Sequence, residues 1–189
     1  MKKIKKVSLA FLTLLTINCL SGCKKKQDDP KDVVVDINDL SYRNASGTKG
    51  LVASATQYAS NAGIEILKKG GNAFDAAAAV GFALGVTEPN ATGLGGSGYF
   101  LAYQAKTGEV KQFNFGAMIG KNQTVDLYDA DTHLDQMKRG KLAVCVPGTV
   151  MGLTTLVDDF GSGNVTLGDV IDPSIKLCEE GFPATTFLV

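Results

Sequence analysis

The sequence predicts a mixed α/β domain of the α+β kind, and three observations carry that expectation. Apolar residues fall at helical spacing before residue 87 and again after residue 148, while two short alternating segments lie between these regions. A glycine cluster, "PNATGLGGSGYFLAY" from Pro89 to Tyr103, leads from the first pattern into the second. The composition agrees: 44% of the 189 residues are hydrophobic and 20% are charged, the range of an ordinary globular domain.

The elements follow in order. From Ala55 to Lys69 the residues Ala59, Ala62, Gly63, Ile66 and Leu67 fall at helical spacing, and Gly70-Gly71 supplies a left-handed stop. Asn72 is placed to cap a second helix, with Asp75 in its first turn where the helix dipole favours an acid. That helix, "AFDAAAAVGFALGV" to Val86, has one charge and no polar face, so it must be covered on every side. It is too short to span a bilayer, which leaves protein as the cover, and the chain alone is expected to leave that cover incomplete. "YFLAYQ" and "EVKQFNF" then read as strands joined by a tight turn at Lys106-Thr107-Gly108.

Residues 119–141 read as a polar loop. Asp126, Asp129, Asp131 and Asp135 are spaced too irregularly for an EF-hand, and His133 reads as a solvated loop residue because no Ser or Cys nucleophile motif accompanies it. "KLAVCVPG" is expected to be a short strand and "GTVMGLTTLVDDFG" an amphipathic helix ending at Gly161. "TLGDVIDPSIKLCEEGFP" reads as a last helix, opened by Thr166 and stopped by Gly181, with Pro173 kinking it or marking its true first turn.

The N-terminus has a different character. "MKKIKKVSLAFLTLLTINCLSGC" carries lysines, then an apolar run from Val7 to Leu20, and residues 1–22 read as a secretory signal peptide. Leu20-Ser21-Gly22-Cys23 resembles the bacterial lipobox, which makes Cys23 the expected lipid attachment and places the protein on a membrane of the bacterial cell envelope, periplasmic or surface facing. Residues 23–50 read as a solvated tether, and 51–189 as the folded portion. Residues 1–26 hold seven lysines and no acid, leaving 12 basic against 19 acidic residues, a net charge of −7. An acidic body argues against nucleic acid as a partner. With no CxxC and a single histidine, a structural metal is not expected, and Cys145 and Cys178 read as buried small apolar residues whose pairing stays open.

The glycine cluster is not a phosphate loop. A P-loop ends in Gly-Lys-Ser/Thr, and a dinucleotide fingerprint follows a strand and opens a helix. This loop follows a helix and opens a strand, so its glycines are expected to permit positive φ and close backbone approach between the apolar helix and the hairpin.

The order of segments from Leu51 to the last residue resembles the N-terminal region of the γ-glutamyltransferases (γ-glutamyltranspeptidases, glutathione hydrolases). The likeness is carried by Gly-Gly-Asn-Ala-x-Asp-Ala from Gly70 to Ala76, Glu88-Pro89, the glycine-rich loop, "VPGTVMGL" from Val146 to Leu153 and "EEGFP" from Glu179 to Pro183. The resemblance implies an N-terminal-nucleophile hydrolase with stacked αββα layers, present here as an incomplete N-terminal portion. It implies a proenzyme that cleaves itself, and a new N-terminal Thr on a small subunit that attacks the γ-glutamyl amide with its own α-amino group as base. No metal or organic cofactor is implied.

Two departures qualify the resemblance. The processing Thr is expected beyond Val189, and Thr149, Thr154, Thr155 and Thr185 are interior residues without an α-amino group to offer. The family's hairpin ends in a segment like Asp-Phe-Arg-Glu, whose Arg binds the substrate α-carboxylate; here the residues are Asn114, Phe115, Gly116 and Ala117. Arg43 and Arg139, the only arginines, sit away from the hairpin in sequence. Three functions therefore compete: a γ-glutamyltransferase completed by a missing small-subunit half, an acylase or amidase for another substrate, and a catalytically inactive membrane-tethered fragment.

Overall fold

The structure is a computed structural model that describes residues 44–184 and residue 188; Cys23, the signal peptide, Arg43 and Thr185 lie outside the described residues. The compact unit is Ser46–Val189. Its elements are α1 (Gln57–Lys68), α2 (Ala73–Thr87), β1 (Gly98–Gln104), β2 (Glu109–Phe115), a 3-10 turn at Val125–Tyr128, α3 (Ala130–Arg139), α4 (Thr149–Phe160) and α5 (Leu167–Glu180).

Helix boundaries are set by side chains that satisfy the first free amides. Thr56 caps α1 through Ala59 N, and its hydroxyl also meets that of Thr87 at 2.9 Å, joining the start of α1 to the end of α2. Gly70, at φ +95°, makes the left-handed exit from α1. Asn72 Oδ1 accepts from Phe74 N and Asp75 N while Asp75 Oδ2 accepts from Asn72 N at 2.9 Å, a full capping box. Thr166 and Asp169 build the same box on α5.

α2 is the centre of the fold. Ala78, Ala79 and Phe82 pack with Ile66 of α1, Leu153 and Leu156 of α4, and Val165 and Val170 near the start of α5. On another side Ala83 meets Ala59 and Ala62 of α1, with Leu177 of α5 against them. Small residues let these helices close. A Cβ on Gly63 would lie 2.8 Å from Val80, and one on Gly81 would lie 2.6 Å from Leu153. The cover that α2 demands therefore comes largely from α1, α4 and α5; Ala73 and Ala77 are its exposed residues. The chain supplies more of that cover than the sequence suggested.

β1 and β2 form an antiparallel pair in the register Phe100↔Phe113 and Gly98↔Phe115, closed by a turn in which Gly108 takes φ +70°. Its inner face is aromatic: Phe100 stacks on Phe113 at 5.2 Å and meets Phe160 of α4 edge-on at 6.0 Å. Its outer face presents Tyr99, Leu101, Tyr103 and Val110 to solvent, Leu101 at 76% exposure.

Four expectations need correction. Residues 119–141 are not all loop, because Asp129 caps α3 through Asp131 N and the last turn carries Lys138 and Arg139, matched to the helix dipole. "KLAVCVPG" forms no extended strand; within it only Val146 bridges, to Met118, in an isolated antiparallel pair. Pro173 does not mark the first turn: α5 starts six residues earlier at the Thr166 box, and Pro173 lies buried inside the helix, where only the alternative of a kink still applies. Cys178 is exposed and Cys145 half-buried, both with free thiols, so neither is a buried apolar filler.

Candidate functional site at the end of the hairpin

The glycine-rich loop, the end of β2 and the start of α4 converge on Phe115. A Cβ on Gly98 would lie 2.9 Å from its ring, one on Gly152 would run into the ring, and one on Gly148 would collide with its carbonyl. Phe115 is thus seated in a notch that only glycine leaves open, which fixes the last residue of β2 against α4. None of the loop glycines from Gly93 to Gly98 has positive φ, contrary to expectation. Their role is close approach: Gly93 Cα would stand 3.6 Å from a Cβ on Gly85 of α2, and Gly96 lies against Thr149.

Gly96 also does something the sequence did not announce. Its carbonyl accepts from Gly148 N at 2.9 Å and Thr149 N at 3.2 Å, so the loop caps α4, whose N-cap Gly148 has no side chain for the task. A glycine followed by Thr-Val at a helix start was the one available sign of an N-terminus that must borrow its acceptor.

Directly beyond Phe115 stands Gly116. Its N–H donates to Asn114 Oδ1 at 2.7 Å, and a Cβ there would lie 2.7 Å from that same oxygen and 3.0 Å from the Tyr99 hydroxyl. Asn114 and Tyr99 are cross-strand partners on the outer face. The position where the resemblance expects a guanidinium is therefore occupied from both sides by uncharged polar groups.

The remaining sequence-singled residues fall elsewhere. Thr154 and Thr155 turn their hydroxyls back onto Val150 and Met151 carbonyls within α4, the usual fate of Thr inside a helix, and Thr149 is buried. His133 lies on α3, its Nδ1 2.8 Å from the Thr132 hydroxyl, which donates to Asp129. Structure does not bring His133 to a nucleophile: its two polar neighbours belong to its own helix start. Arg139 ends α3. Among the described residues, no group of three or more His, Cys, Asp or Glu could hold a metal, and no helix is long and apolar enough to cross a membrane.

Residues 59–188 match the Gamma-glutamyltranspeptidase family model. The Glutathione hydrolase proenzyme of Bacillus subtilis is 40% identical over 147 residues, which cover 75% of this chain and 24% of that protein. The Acylase ACY 1 proenzyme of Pseudomonas sp. (strain SE83) is 37% identical over 76% of this chain and 27% of its own length. Among solved structures, the Helicobacter pylori gamma-Glutamyltranspeptidase superposes with a TM-score of 0.66 at 35% identity, covering 74% of this chain and 40% of that one. This chain thus spans about a quarter of the length of the curated relatives it matches.

Proposed function

Since the chain belongs to the γ-glutamyltranspeptidase family, we propose that it forms the N-terminal part of the large subunit of an enzyme that transfers γ-glutamyl groups from glutathione-type amides to water or amino acids. The observation that carries this reading is the family match across residues 59–188, which takes in the hairpin, α2, α4, α5 and all but the first two residues of α1.

In this reading the reacting group arrives on another stretch of polypeptide. A Thr freed at its α-amino group attacks the amide carbon, the amine takes the hydroxyl proton and passes it to the leaving group, and the resulting acyl ester is resolved by water or an amino acid. Backbone amides hold the oxyanion. The present chain contributes the α-layer and a hairpin end fixed by the Phe115 seat. In this reading Thr149, Thr154 and Thr155 are not the nucleophile: Thr149 is buried, and the hydroxyls of Thr154 and Thr155 donate to carbonyls of their own helix.

The test is co-production with a partner segment carrying a processing Thr, sought in the DNA that follows codon 189. We expect self-cleavage and release of nitroaniline from a γ-glutamyl anilide; cleavage without turnover of any amide would overturn the reading. A second reading, an acylase or amidase for another substrate, is favoured by Gly116 and by the likeness to the Pseudomonas acylase. Turnover of simple acyl anilides alone would decide for it. We also propose a lipid anchor at Cys23, supported by Leu20-Ser21-Gly22-Cys23 after the apolar run. Cys23→Ser is expected to leave the membrane fraction, and unchanged partition would refute the anchor.

A further inference from the structure

We draw no further inference here: the strongest candidate, the outer face of the hairpin where Tyr99, Leu101, Tyr103 and Val110 stand exposed beside the uncharged edge of β1, is an unpartnered apolar face, and nothing in the structure shows what covers it.

Discussion

The helical layer and the hairpin are built by opposite means. α2 is enclosed by α1, α4 and α5, and its interior residues Ala78, Ala79 and Ala83 have no exposed surface. The hairpin has one covered face, and there the cover rests on Phe100, Phe113 and Phe115 against Phe160 and the glycines of α4. Its other face shows Tyr99, Leu101, Tyr103 and Val110 to solvent, and both its outer edges are without a ladder partner among the described residues. The apolar surface of α2 is largely covered, whereas the outer face of the hairpin is open. The difference teaches that the chain carries its own core yet leaves a surface whose composition suits burial.

That contrast can be broken most directly by truncating one side chain in each region. Leu156→Ala removes a buried side chain from the middle of the helical core and is expected to cost about 2–5 kcal/mol in urea unfolding, whereas Leu101→Ala on the outer face should stay within about 0.5 kcal/mol. Equal costs would show that the hairpin's outer face is covered in the isolated chain. Next in size, Gly152→Ala drives a methyl into the Phe115 ring and should cost about 1–3 kcal/mol, with β1 and β2 amides losing protection from hydrogen exchange before those of α2. Simultaneous loss in both regions would mean that they unfold as one unit. Asn72→Ala, which removes the α2 cap and the bond from Nδ2 to Phe160 O, should cost about 1–2 kcal/mol without disturbing the hairpin.

The smallest effect is acid sensitivity at α5. Asp169 has its carboxyl held below the ordinary value of 3.8, first by the Thr166 hydroxyl and then by the Thr166 N–H. Because its folded pKa is lowered, its contribution is fully present above 3.8 and lost as pH falls through the folded value. Asp169→Asn should therefore flatten the fall in melting temperature below that pH while leaving hairpin exchange unchanged. A wild-type slope in the variant would dismiss the Thr166 box as its source.

Sequence patterns made the helical layer legible and left the site half hidden, for a physical reason. Helix ends announce themselves locally: Asn72 with Asp75, Thr166 and Gly181 all act within a turn of where they stand. The α3 helix escaped because its residues are polar around most of the cylinder, and only the Asp129 cap and the terminal Lys138 and Arg139 mark it. At the hairpin end, Gly116 was visible as a departure from a family pattern, but its significance depends on Tyr99, seventeen positions earlier and across a strand. The Gly96 carbonyl on α4 likewise joins residues more than fifty apart, and no local pattern encodes such a bond.

Asp75 gives a last consequence. Its Oδ2 binds both Asn72 N and Ser162 N, and Asn72 Nδ2 reaches Phe160 O, so the entrance of α2 is stapled to the exit of α4. Everything from Thr87 to Gly148 is then an excursion that leaves the helices and returns to them across a junction already locked elsewhere. The exposed parts of such a detour can be lengthened or rewritten without reopening that junction, provided the Gly96 carbonyl still caps α4 and Phe100 and Phe115 keep their seats.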